Sequence, residues 1–135
     1  MLFRVDAGSG VPIYRQLVEQ VRREVLFGRL GPGDQLPSLT EVVAALSINP
    51  NTVVKAYGEL EHQGLVVRRQ GTGTFVAAVP PPALSAPGSV RRSLQRWVVR
   101  AREVGLGDDQ IRALLADALA DGQAADRPAR PGVVA

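Results

Sequence analysis

Residues 49–77 read NPNTVVKAYGELEHQGLVVRRQGTGTFVA, and their punctuation decides the fold. Asn49 before Pro50 is a helix start. The asparagine side chain accepts a backbone N–H, and proline loses nothing at a first helical position that has no partner for an N–H. Val53, Ala56, Tyr57 and Leu60 then recur at helical spacing until Gly64 stops the helix. Leu65 to Arg69 reads as a strand, Gln70-Gly71-Thr72-Gly73 as a turn, and Thr74 to Ala77 as the return strand.

Working upstream, Ser38 stands three residues before Glu41, the spacing of a capping box. The helix it opens has an apolar side of Val42, Val43, Leu46 and Ile48. Gly31-Pro32-Gly33-Asp34 reads as a turn. Pro12 opens an earlier helix in which Ile13, Leu17, Val21 and Val25 recur every four residues, joined by Tyr14 and Val18, and which ends near Phe27-Gly28. Leu2, Phe3 and Val5 form an apolar lead-in. Helices followed by a hairpin in this order predict a winged helix-turn-helix over residues 1–79. The fold class is therefore mainly α with a small β-hairpin, plus a C-terminal two-helix dimerisation region.

Downstream, Pro80-Pro81-Pro82 through Gly88 reads as a stiff, structureless linker over residues 80–89. Residues 90–121 hold two helical patterns around Gly105-Leu106-Gly107. Two helices cannot enclose a core, so their apolar stripes need a partner surface. The simplest partner is a second copy, which makes Leu94, Trp97, Val98, Ala101, Val104, Ile111, Leu114, Leu115 and Leu119 the expected dimer interface. A small-molecule effector, chemically unidentified, could sit between subunits near Trp97, although Trp97 reads first as a dimer-core residue. The Pro/Ala/Arg-rich composition of residues 122–135 predicts a disordered tail.

Composition narrows the function. The 135 residues include no cysteine and a single histidine, His62, so no metal or cofactor site is expected. No apolar run approaches a membrane span and no secretory signal is visible, which points to the cytoplasm. No catalytic arrangement stands out: Glu59 and Glu61 diverge on a helix, Ser38 has no histidine near it in sequence, and Gly71-Thr72-Gly73 lacks the lysine of a phosphate-binding loop.

The net charge of +3 suits a polyanion, but its distribution is uneven. Residues 1–79 carry eight basic and seven acidic side chains, residues 80–107 five arginines against Glu103, and residues 108–135 three arginines against five aspartates. The basic first helix of the C-terminal pair suits adjacency to the acidic second one; flanking DNA is the alternative.

A helix-turn-helix lays the start of its second helix against base edges in the major groove. With Val53, Ala56, Tyr57 and Leu60 turned to the core, Pro50, Asn51, Thr52, Val54 and Lys55 face the groove. Asn51 suits adenine in bidentate fashion, Val54 a thymine methyl, and Thr52 a base or a phosphate. Lys55 and the helix start suit phosphate. Asn49 to Thr52 taken singly is also what any well-capped helix start looks like. Arg68, Arg69, Gln70, Gly71, Thr72 and Gly73 supply charge and a backbone able to approach phosphate closely. Directly after a helix-turn-helix, such a hairpin reads as a wing.

Several separate blocks resemble the GntR family of bacterial repressors. They are Pro12-Ile13-Tyr14, Gly33-Asp34-Gln35-Leu36-Pro37-Ser38, Ile48-Asn49-Pro50-Asn51-Thr52-Val53, Ala56-Tyr57-Gly58-Glu59-Leu60-Glu61, Gly64-Leu65 and Gly71-Thr72-Gly73-Thr74-Phe75-Val76. The Asn-Pro-Asn-Thr block and the short C-terminal region are most similar to the YtrA-like subfamily. The resemblance covers about residues 11–77. It implies a homodimer on a near-palindromic double-stranded operator, and repression. It also makes Ser38 a phosphate contact, beside its reading as a helix cap. The family usually has a DNA-contacting arginine two residues after that serine; here the position is Thr40. A winged-helix module that binds protein rather than DNA is the alternative function.

Overall fold

In the computed structural model, which describes residues 1–84 and 86–125, the helical spacings are realised as α1 (Ile13–Leu26), α2 (Leu39–Leu46) and α3 (Pro50–His62). The hairpin is β1 (Val66–Arg69) and β2 (Gly73–Val76). The chain divides into two units, Met1–Gly88 and a second beginning at Ser89.

The core of the first unit takes the inward stripe of each element. Leu17, Val18, Val21 and Val25 come from α1, Val42 from α2, and Val53, Ala56, Tyr57 and Leu60 from α3. Leu65, Val66 and Val76 close it from the hairpin. Each fully buried Leu or Val side chain stabilises the fold by about 1.5–3 kcal/mol relative to exposure. The helix-turn-helix corner turns at Ser47, whose φ of 53° is left-handed and whose N–H bonds the Val43 carbonyl at 2.9 Å.

The β-ladder pairs Val66 with Val76, Val67 with Phe75, Arg68 with Thr74 and Arg69 with Gly73. A third segment lies along β2, where the sequence indicated only a turn. Gly33 N–H bonds the Val76 carbonyl at 2.9 Å, Val76 N–H the Asp34 carbonyl at 2.8 Å, and Leu36 N–H the Thr74 carbonyl at 2.8 Å. Four residues between Pro32 and Pro37 are too few to show alternation, so this pairing had no periodic signal.

The lead-in is also more ordered than its residue types suggest. Phe3 is buried, and the Gln16 and Gln20 side chains behave like a neighbouring strand. Arg4 N–H bonds Gln20 Oε1 and Asp6 N–H bonds Gln16 Oε1, both at 2.8 Å. Each amide nitrogen donates back to the carbonyl of the same residue, Arg4 for Gln20 and Asp6 for Gln16.

The linker expectation needs correction. Pro82–Leu84 form a 3-10 turn, closed by Leu84 N–H to the Pro81 carbonyl at 2.9 Å, and Leu84 packs against the core of the first unit. Proline suits the start of a helical turn, and Leu84 gains by leaving water. The next helix, α4 (Gly88–Glu103), starts inside the expected linker. In the second unit Gly105, at φ +94°, turns the chain from α4 into α5 (Asp108–Ala125). Ala101 and Ile111 are buried at that corner. Residues 122–125 continue α5 rather than joining the tail, consistent with the high helix propensity of the alanines there. The remainder of the expected tail lies outside the described residues.

Candidate DNA-binding surface

The recognition surface is built on a fixed corner. Tyr57, inward on α3, donates its hydroxyl to the Pro37 carbonyl at 2.7 Å, which ties α3 to the residue preceding the cap of α2. Burial pushes the phenol well above its ordinary pKa, and the Glu41 carboxylate adds to the rise. Both helix starts are capped by their own side chains. Ser38 Oγ accepts Glu41 N–H at 3.1 Å, and Asn49 Oδ1 accepts Asn51 N–H at 2.9 Å.

This separates two asparagines that the sequence could not rank on geometry. Asn49 uses its side chain to hold the helix. Asn51 contributes only a backbone N–H to that cap; among the described residues its exposed side-chain amide makes no hydrogen bond. Pro50, Val54 and Lys55 are exposed beside it, and Thr52 is half-buried.

The cations have partners. Lys55 Nζ sits 4.0 Å from the centroid of the Tyr14 ring, so a residue of α1 steers it. Arg68 turns back onto α3, donating to the Val54 carbonyl at 3.3 Å and lying 3.8 Å from Glu61 Oε2. Arg69 lies over the Phe75 ring at 5.1 Å. Of the two wing arginines, Arg68 is therefore drawn back toward α3, while Arg69 stays over the hairpin.

The wing turn is shaped from outside the hairpin. Thr72 N–H closes on the Arg69 carbonyl at 3.0 Å, and the Gln35 amide donates to the Thr72 carbonyl at 3.3 Å. Gly71 has φ +75° and Gly73 φ +138°. A Cβ at Gly73 would also stand 2.6 Å from Gln35 Nε2. Tyr14 and Gln35 are the site residues that sequence reasoning missed. Tyr14 read as one more apolar position of its helix, and Gln35 lay in the segment that had no periodicity.

In the second unit, most of the expected dimer residues lack full cover within their unit. Ala101 and Ile111 are buried, while Trp97, Val98 and Leu115 are half-buried. Leu94, Val104, Leu114 and Leu119 are exposed. Among the described residues, no three His, Cys, Asp or Glu side chains gather closely enough to hold a metal ion, and no helix is long and apolar enough to cross a membrane.

A capped helix-turn-helix followed by a β-hairpin wing is the architecture of DNA-binding transcription regulators. Residues 13–76 match the family described as bacterial regulatory proteins, gntR family, and the chain belongs to that family. It is 30% identical over 122 residues to the HTH-type transcriptional repressor YtrA of Bacillus subtilis (strain 168), spanning 89% of this chain and 94% of that protein. Among solved structures it is similar to YtrA from Sulfolobus acidocaldarius, a GntR-family transcription factor. That match has a TM-score of 0.53 at 28% identity and covers 88% of this chain and 97% of the other. A transcriptional antiterminator from Listeria monocytogenes EGD-e matches with a TM-score of 0.58 at 32% identity, covering 87% and 89%. The similarity to YtrA thus extends beyond the winged helix into the C-terminal helices.

Proposed function

We propose that this regulator is a cytoplasmic repressor that binds a near-palindromic operator as a homodimer. The start of α3 enters the major groove and Asn51 reads a base. Ser38, Asn49, Thr52, Lys55 and the wing residues 68–73 face the sugar-phosphate backbone. The observation that carries this reading is the division of labour at the start of α3: Asn49 caps, and the Asn51 amide points outward without a partner among the described residues.

The second copy covers the apolar face of α4 and α5. Val90, Leu94, Trp97, Leu114, Leu115 and Ala118 line an open groove of about 590 Å³ there, which suits interdigitation with the same face. A small-molecule effector would bind in this same region. Catalysis has no part in the reading. Glu59 holds the Gln63 amide at 3.1 Å and Glu61 faces Arg68, so the two carboxylates engage different partners rather than each other.

The test is an electrophoretic shift with fragments from upstream of the protein's own gene, followed by footprinting. A protected, two-fold symmetric site that outcompetes random duplex supports the proposal. Equal binding to every fragment, or none at any salt concentration, points instead to an interaction module on a winged-helix scaffold.

A further inference from the structure

The positive charge of this regulator is not concentrated where its winged helix is. Residues 1–79 are almost balanced, with eight basic and seven acidic side chains. The cations around α3 also have partners within the chain: Lys55 with Tyr14, Arg68 with Val54 and Glu61, Arg69 with Phe75. Helix α4 differs. It carries Arg91, Arg92, Arg96, Arg100 and Arg102 against Glu103 as its one acid. Arg102 is paired with Asp108 at 3.3 Å.

Arg92, Arg96 and Arg100 recur every four residues, so they share one face about 6 Å apart along the axis. That face is turned well away from Leu94, Val98 and Ala101. All three arginines are exposed, and among the described residues none forms an ion pair. With Gln95, Val99 and Glu103 they wall an open groove of about 520 Å³. Like charges at this spacing repel and weaken a helix, so the stripe lowers the stability of α4 with no compensating ion pair among the described residues. A guanidinium presents a planar fork of donors that matches phosphate oxygens.

We propose that the Arg92, Arg96 and Arg100 stripe of α4 is a second DNA-backbone surface, separate from α3 and the wing, which supplies sequence-independent affinity. The proposal rests on the DNA-binding reading above. It makes α4 bifunctional: one face for the second copy, the other for phosphate. Flanking phosphates carry no sequence information, so the stripe strengthens operator and random DNA alike.

The experiment uses the full-length protein in anisotropy titrations over a salt series, with an operator duplex and a random duplex of equal length. The variant is Arg92→Gln, Arg96→Gln and Arg100→Gln together, with the corresponding triple lysine variant as the charge-retaining control. The glutamine variant is expected to flatten log K against log salt by about 0.9 for each phosphate that the protein no longer neutralises, and to weaken both duplexes by the same factor. The lysine variant restores the slope. Circular dichroism and sedimentation stay as in the wild type. An unchanged slope, with wild-type operator binding intact, overturns the stripe and leaves the winged-helix reading standing. A glutamine variant that falls to monomers also overturns it, because the arginines then seat on the acidic α5 of a second copy. A wild type that binds neither duplex overturns the reading beneath it.

Discussion

At the scale of single residues, two asparagines two positions apart do different work. Asn49 repeats at α3 what Ser38 does at α2: a side-chain oxygen takes an N–H that the first turn leaves without a partner. Asn51 has a planar donor–acceptor amide aimed outward from the first turn. Asn51→Ala is therefore expected to cost about 1–3 kcal/mol at one base pair of each half-site and to relax preference there, with little change in Tm. Binding to a series of single-base-substituted operators checks this; uniform weakening with a lowered Tm would give Asn51 a structural role instead. Tyr57 gives the opposite case, a polar atom that serves only the fold. Tyr57→Phe removes the donor to the Pro37 carbonyl and is expected to cost about 1 kcal/mol in a urea titration, more if that carbonyl stays dry. The folded phenol is held above its ordinary pKa near 10. Its contribution is thus intact below about pH 10 and falls away as pH rises further. A Tyr57-dependent loss of stability between pH 6 and 8 would contradict this assignment, with the pH window set by the reference pKa.

At the scale of elements, the wing is the informative case. Its hairpin was legible from Gln70 to Gly73 because turn glycines between two apolar-bearing runs have few other uses. What shapes the turn was not, since Gln35 reaches it from before α2. The two wing glycines therefore differ. Gly71→Ala meets left-handed strain in open space, for a loss of about 1–2 kcal/mol. Gly73→Ala meets a disallowed φ as well as the Gln35 amide, and is expected to cost about 1–3 kcal/mol in strain and to break the Gln35 hydrogen bond besides. Paired thermal melts test the order, and Gly71→Ala proving the more damaging would refute it. Lys55 belongs to this scale too, because α1 and α3 share it. Tyr14→Leu removes the ring but keeps an apolar side chain, so it is expected to weaken DNA binding several-fold while Tyr14→Phe does not. Equal binding by the two variants would mean that the ring does not position the lysine.

At the scale of the whole molecule, the two units have different needs. The first has its own core of α1, α2, α3 and the hairpin, completed by Leu84. A chain ending at Gly88 keeps all of these, and is expected to melt cooperatively as a monomer. Among its described residues the second unit buries Ala101 and Ile111 and little else, and in the proposed homodimer a second copy covers the rest. Trp97→Ala is expected to weaken dimerisation by up to about 3–5 kcal/mol, the cost of truncating a tryptophan that becomes fully buried. Analytical ultracentrifugation over a dilution series reads this directly. A dimer that survives both Trp97→Ala and truncation at Gly88 would place the interface elsewhere.

Local chemistry determined the helices, their caps and the hairpin. Val53, Ala56, Tyr57 and Leu60 had to share a face because an α-helix repeats every 3.6 residues, and Asn49-Pro50 had to begin it because no other position suits both residues so well. These properties are set by neighbours within a few residues, so the order of amino acids suffices to read them. Contacts between distant segments needed the tertiary structure. The pairing of Gly33–Leu36 with β2, the Gln16 and Gln20 clamp, the seat of Leu84 and the steering of Lys55 by Tyr14 join residues that no periodicity relates. Their partners are chosen by proximity in space, which exists only once the core has closed.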